Sequence, residues 1–204
     1  MFTYIVFFNI NLGIAMIETD NKNKSIFEQA IFGAGCFWCV EAIFESMEGV
    51  ENVQAGYTGG NTENPTYEEI CSGKTNHVEV IQLDFNPQII SFKKLMDYFW
   101  KSHDPTTLNR QGADIGTQYR SAVFYNSEEQ KEIAEQSLKD ADNSGMYINP
   151  IVTEITLLSE FYSAEEYHQD YFRDNKSARY CRLVINPKIK KLQDKKIIRK
   201  KEGD

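Results

Sequence analysis

Residues 27–49 read FEQAIFGAGCFWCVEAIFESMEG, and within them a strand gives way to a helix. FEQAIFG, ending at Gly33, has the composition of a strand. After it Val40, Ile43, Phe44 and Met47 fall at i, i+3, i+4, i+7, one face of a helix. Gly49 stands where that helix would take its C-cap. Gly33 and Gly35 precede Cys36 at the junction, so its sulfur is expected to face the free N–H groups of a helix N-terminus, a setting that favours the thiolate. Cys39 follows three residues on, across the pair Phe37-Trp38. The two cysteines read as half a zinc knuckle, as a redox dithiol, or as one reactive thiol beside a second.

Outward from this junction, strands and helices alternate irregularly. VENVQAG (50–56) is a second strand, and YTGGNTENPT (57–66) is a loop long enough to be functional. HVEVIQLDF (77–85) is a further strand. Ser91 caps a helix whose Phe92, Leu95, Met96 and Phe99 share a face before His103-Asp104-Pro105 stops it. A strand near QYRSAVFY (118–125), a helix with a capping box from Ser127 to Gln130, a strand IVTEITLL (151–158) and a helix opened by Ser163 with Glu166 complete the pattern. Hairpin-length and irregular spacings favour an α+β fold, a two-layer α/β plait, over a doubly wound sheet.

No repeat and no low-complexity linker divides residues 25–187, which are expected to form one catalytic domain. Residues 188–204 form a basic tail with eight Lys/Arg against three Asp/Glu, read as a solvated helix or frayed end. The rest carries fourteen Lys/Arg against twenty-seven Asp/Glu, or −13, which argues against nucleic acid as a partner. Four cysteines in 204 residues are too sparse for a secreted disulfide framework and point to a reducing, cytoplasmic compartment. Residues 1–24 read as an extension. They are apolar at first, but lack a basic n-region and a cleavage site and are too short for a membrane span; Met16 is an alternative start. The competing reading makes residues 1–17 a weak export signal.

Side chains of residues 77–85 alternate, so Glu79 shares a face with His77, Ile81, Leu83 and Phe85. A carboxyl held there without a cation has its pKa raised and becomes a proton donor near neutrality. The alternative is a Glu79 at the open end of the strand in water, or paired with an arginine. Tyr67 and Tyr119 sit where loops enter regular structure and could turn hydroxyls into a cleft. A zinc site from Cys36, Cys39, Cys71, Cys181 and His77 is disfavoured, because the second cysteine pair lacks the tight spacing. A zinc deaminase is disfavoured too: its H-x-E comes before P-C-x-x-C, the reverse of the order here. A thioredoxin-type dithiol is the stronger rival, although Phe37-Trp38 is bulky for such an exchange.

GCFWCVEAIF (35–44), GYTGGNTENPTYEEICSGKTNHVEV (56–80), FWKSHDPT (99–106), RQGADIGTQYRSAVFY (110–125), FYSAEEYHQDY (161–171) and SARYC (177–181) together resemble the methionine sulfoxide reductase A family. The resemblance implies a ferredoxin-like core, no metal and no bound organic cofactor. It also implies reduction of the S epimer of methionine sulfoxide, free or in oxidised proteins, with thioredoxin as electron donor, dithiothreitol serving in vitro. By position Cys36 matches the nucleophile, Phe37 and Trp38 the wall around the S-methyl group, and Glu79 the acid on the sulfoxide oxygen. Tyr67 and Tyr119 match further donors, and Asp114 a residue that orders the site. A monomer without membrane association is expected. Cys39, where the common pattern has Gly, and Cys181, in the tail, are both candidates to resolve the oxidised nucleophile. Cys71 is expected to be a buried, inert thiol.

Overall fold

The computed structural model describes residues 26–198; the expected extension at residues 1–24 and the last residues of the tail lie outside them. In chain order the elements are β1 (Glu28–Ala34), α1 (Phe37–Phe44), β2 (Val50–Thr58), α2 (Tyr67–Cys71), β3 (Val78–Phe85), α3 (Phe92–Ser102) and a small hairpin, β4 (Arg110–Gln111) and β5 (Asp114–Ile115). Then come β6 (Ser121–Tyr125), α4 (Glu128–Asn143), β7 (Glu154–Leu157), β8 (Tyr162–Ser163), α5 (Tyr171–Asp174), a π-helical turn Cys181–Ile185, and α6 (Asn186–Asp194).

The main sheet has the order β7-β6-β1-β3-β2-β8, antiparallel except for β6 and β7, which run parallel. Its centre, β6-β1-β3-β2, is wound β1-α1-β2-β3-α3-β6, the ferredoxin-like arrangement. The expected α+β plait is therefore the observed fold. Alternation along β3 divides the core. Ile81, Leu83 and Phe85 join Phe32, Phe44, Leu95 and Phe99 beneath the helices, while Val78 and Val80 join Ile31, Ala122 and Phe124 on the other face under Leu158 and Phe161. Phe32 lies 5.3 Å from Phe44 and 5.3 Å from Phe99, ring centre to ring centre, pinning both helices to one strand. Each such buried ring contributes roughly 1.5–3 kcal/mol. Strand period therefore puts Glu79 on the helix side, directly across from Tyr57 of β2.

Several local expectations change. Helix α1 ends at Phe44 with Glu45 still in the right-handed region, and Gly49, at φ +86°, makes the turn into β2 rather than the helix cap. Ser163 does not open a helix. The edge of β2 is open for pairing, so Tyr162 and Ser163 add to it as β8, opposite Tyr57 and Gly56, and Glu166 begins a single 3₁₀ turn, Glu166–His168. Ser127 caps α4 through the Gln130 N–H, but Gln130 answers to the N–H of Asn126 rather than of Ser127, so the box is incomplete. A complete one opens α2, between Thr66 and Glu69. In the tail, α6 presents lysines to solvent and buries Leu192 and, just past its end, Ile198. Among the described residues no helix is long and apolar enough to cross a membrane.

Candidate active site

Cys36 is the N-cap residue of α1, 7 % exposed, where β1 turns beneath the hairpin β4–β5. The turn requires Gly35 at φ +88°, and a Cβ there would lie 2.6 Å from Gln111 of the hairpin. The next N–H, of Phe37, donates to Oε2 of Glu79 at 3.2 Å. One free donor of the helix N-terminus is thus spent on the carboxyl of β3, which fixes Glu79 beside Cys36. Glu79 is 1 % exposed, and burial raises its pKa to about 8 although the Phe37 N–H opposes this; the charges of Asp114 and Cys39 add to the rise. Among the described residues no arginine pairs with it, so of the two sequence readings the buried carboxyl with a raised pKa is the one the structure matches.

The thiols depart from expectation. Burial pushes Cys36 well above the usual thiol range, helped by its hydrogen bond with Cys39 and by the nearby charge of Glu79. Cys39, 3 % exposed, is brought down to about 7 chiefly by that same bond, against its own burial. Burial thus disfavours the Cys36 thiolate, while the interaction of the two sulfurs favours that of Cys39. The free N–H groups at the start of α1 do not outweigh the loss of water around Cys36.

The remaining candidates converge on the same place. Asp114, in β5, accepts a hydrogen bond from Tyr180 Oη at 2.7 Å, and that oxygen lies 4.0 Å from Cys39 Sγ. Tyr119 ends a 3₁₀ turn, and its hydroxyl is held protonated by burial and then by the charges of Glu79 and Cys36. Tyr67 opens α2; burial and a hydrogen bond with Cys71 hold its proton, with Glu79 adding. Phe37 and Trp38 begin an aromatic wall in which Trp38 stacks on Tyr171 at 3.7 Å and donates its indole N–H to His168 Nδ1 at 3.2 Å. Cys181 is fully buried in the π-helical turn next to Tyr180, and the charge of Cys39 reaches it. Cys71 is exposed rather than buried, because it ends the surface helix α2. Among the described residues no three His, Cys, Asp or Glu side chains are grouped as metal ligands.

A family model described as peptide methionine sulfoxide reductase matches residues 28–201. The chain belongs to that family.

It is accordingly an oxidoreductase. It is 51 % identical over 176 residues to a peptide methionine sulfoxide reductase MsrA of Leptospira borgpetersenii, covering 86 % of this chain and 99 % of the relative. It is 53 % identical over 171 residues to an MsrA of Acinetobacter baumannii, covering 82 % and 95 %. Among solved structures, the fold matches methionine sulfoxide reductase A of Corynebacterium diphtheriae with a TM-score of 0.67 at 35 % identity, covering 76 % of this chain and 78 % of that one. It matches the reduced form of Mxr1 from Saccharomyces cerevisiae with a TM-score of 0.69 at 35 % identity, covering 76 % and 89 %.

The reductase site also contains residues that spacing did not single out. Glu165 accepts from Tyr57 Oη at 2.9 Å and from the Tyr67 N–H at 2.8 Å, tying α2 to the sheet. His168, kept neutral by burial, receives Trp38 on one nitrogen and leaves the other without a hydrogen-bond partner. Glu41 of α1 is buried, and its Oε1 accepts from the N–H of Asp170 at 3.0 Å. These residues stand within FYSAEEYHQDY and GCFWCVEAIF, but no periodicity separates them from their neighbours.

Proposed function

We propose that this enzyme reduces methionine S-sulfoxide, free or in oxidised proteins, to methionine, using Cys36 as nucleophile and Glu79 as proton donor. The observation that carries the reading is the hydrogen bond from the Phe37 N–H to Glu79. It holds the buried carboxyl of β3, whose pKa burial raises, against the helix start that carries the buried thiol and the first residues of an aromatic wall. A sulfoxide oxygen leaves sulfur only when protonated, so acid and sulfur nucleophile must meet at one point. Phe37 and Trp38 enclose the S-methyl group. Tyr67 and Tyr119, whose protons burial retains, donate hydrogen bonds to the oxygen, and Asp114 orders the site through Tyr180.

The Cys36 sulfur takes over the oxygen, methionine leaves with its sulfur reduced by two electrons, and Cys36 becomes a sulfenic acid. Cys39 then attacks that sulfur. An S–S bond forms, the S–O bond breaks and water departs. The position of Cys39 one turn along from Cys36, its N–H bonded to the Cys36 carbonyl at 3.1 Å, supports it as the first resolver, and the place of Cys181 next to Tyr180, whose hydroxyl lies 4.0 Å from Cys39 Sγ, supports a later exchange with it. A dithiol donor, thioredoxin in the cell and dithiothreitol in vitro, returns both cysteines to thiols. The setting is repair of oxidative damage in the cytoplasm, a reducing compartment that suits so sparse a set of cysteines.

The test is methionine sulfoxide reduction with dithiothreitol by wild type, Cys36→Ser, Glu79→Gln and Cys39→Ser, with a disulfide map of the oxidised wild type. Cys36→Ser should be inactive, and Glu79→Gln slowed by about 10²–10⁴. Cys39→Ser should keep a single turnover while losing the Cys36–Cys39 peptide from the map. An active Cys36→Ser enzyme ends the reading; disulfide exchange without sulfoxide reduction by wild type makes the protein a general dithiol oxidoreductase instead.

A further inference from the structure

A cleft of about 440 Å³ opens between the C-terminal end of α3, the hairpin β4–β5 and α6. Its lining includes Lys101, Lys188, Lys191, Lys195, Asp104 and Gln111. Lys188, Lys191 and Lys195 recur at i, i+3, i+7 along and just past α6, so they form one stripe, and Lys101 faces them from α3. Four ammonium groups against one carboxylate make the cleft strongly positive in a molecule whose residues 1–187 carry −13. An acidic macromolecule approaching elsewhere on that body meets repulsion, and its approach is steered here.

No cysteine lines the cleft, but both of its walls lead toward the reacting thiols. Gln111, on its wall, packs against Gly35, the residue before Cys36. Gln111 is fixed there by hydrogen bonds to the backbone N–H and carbonyl of Asp104. On the opposite wall, the charge of Lys188 reaches Cys39. A ligand seated between α3 and α6 thus lies beside the junction at which the proposed disulfide forms.

We infer that this lysine-lined cleft is the docking surface for an acidic protein dithiol, the electron donor of the proposed cycle. The inference rests on the reading above that a protein dithiol recycles the enzyme. One donor thiolate attacks the enzyme disulfide and releases a cysteine thiolate; the second donor thiol then displaces the other cysteine. The donor becomes a disulfide, the enzyme regains two thiols, and two electrons and two protons have moved. Docking is electrostatic, so it concerns the protein donor and not dithiothreitol.

The experiment compares wild type with a triple variant, Lys101→Glu, Lys191→Glu and Lys195→Glu, and with the matching Gln triple. Lys188 stays in place because it acts on Cys39. Turnover of methionine sulfoxide is measured with a purified thioredoxin of net negative charge and, separately, with dithiothreitol, at about 10 mM and about 0.5 M salt. At low salt kcat/KM for thioredoxin should fall at least about tenfold in the Glu triple and by less in the Gln triple. At high salt the gap should close, and dithiothreitol turnover should be unchanged throughout.

A second measurement uses wild type alone, trapped as a mixed disulfide with a thioredoxin lacking its second cysteine. Acetylation of Lys101, Lys191 and Lys195 should be suppressed in the trapped complex. Normal thioredoxin turnover by the Glu triple at low salt, or full acetylation in the trapped complex, overturns the inference. Protection by inorganic polyphosphate with no change in thioredoxin turnover assigns the cleft to a free polyanion instead. If wild type turns over with dithiothreitol but with no thioredoxin, the donor reading itself fails and this inference with it.

Discussion

Glu79 is held in two conflicting ways. Its place on the helix side of β3 removes it from water, while the Phe37 N–H favours its charged form; burial wins, and the group titrates near 8. If the protonated carboxyl delivers the proton, single-turnover reduction should fall about tenfold per pH unit above pH 8. A rate that instead rises with pH through the carboxylate range and then levels would show that the ionised form is the active one. The same shift affects stability. Between the ordinary carboxylate range and about 8 the folded chain keeps a proton that the unfolded chain has lost, so stability declines as pH rises through that window. Glu79→Gln removes the decline. It should be slowed in catalysis yet melt higher than wild type at pH 8, by an amount corresponding to a few kcal/mol, with the difference vanishing near pH 4. Equal melting at both pH values would mean that Glu79 is ionised in the fold.

Helix α1 carries Phe37, Trp38 and Cys39 right behind Cys36, and its burial was legible because Val40, Ile43, Phe44 and Met47 keep helical period. What holds the aromatic wall against it was not legible. Trp38 is clamped between Tyr171 and His168, both from a segment with little regular structure, and that segment is fastened to α1 by Glu41 through the Asp170 N–H. A glutamate in a helix normally reads as a solvated position, and only the loop returning over α1 buries it. Its pKa is raised to about 7 by burial, against the Asp170 N–H. Glu41→Ala strands that N–H, at a cost of about 1–3 kcal/mol, and frees Tyr171 from Trp38. KM for methionine sulfoxide should rise about tenfold with a smaller change in kcat, and Glu41→Gln, which still offers an oxygen, should restore KM. An Ala variant with wild-type KM would show that Trp38 is positioned without this tie.

At the scale of the molecule, the plait was readable because strand and helix periods in residues 27–125 are clean: β3, α3 and β6 lie within the stretches that periodicity marks, while β1 runs one residue past its stretch and β2 continues through Tyr57 and Thr58 into the stretch read as loop. The gathering of Cys36, Glu79, Tyr67, Tyr119 and Asp114 is a consequence of topology, since β3 sits between β1 and β2 and so brings residue 79 beside residue 36. Beyond Tyr125 legibility falls, because Tyr162-Ser163 pair only where β2 offers an edge, and the placement of Tyr180 depends on tertiary contacts. The tail shows the limit of composition. Its lysines suggest an end near residue 187, whereas Leu192 and Ile198 are 4 % and 6 % exposed and pack in the main core with Ile185. The family match likewise runs to residue 201. Stopping the chain after residue 187 removes two buried aliphatic side chains worth about 1.5–3 kcal/mol each and uncovers Ile185. A loss of about 4 kcal/mol in a chain of this length lowers the melting temperature by roughly 10 °C. The shortened chain should show that drop, and because α6 follows directly on the turn that holds Cys181, touches α1 and carries Lys188, whose charge reaches Cys39, its dithiothreitol-supported turnover should fall as well. A chain ending at 187 that melts and turns over as the full one does would place the end of the catalytic unit where composition suggests, and would make α6 an attachment rather than part of the fold.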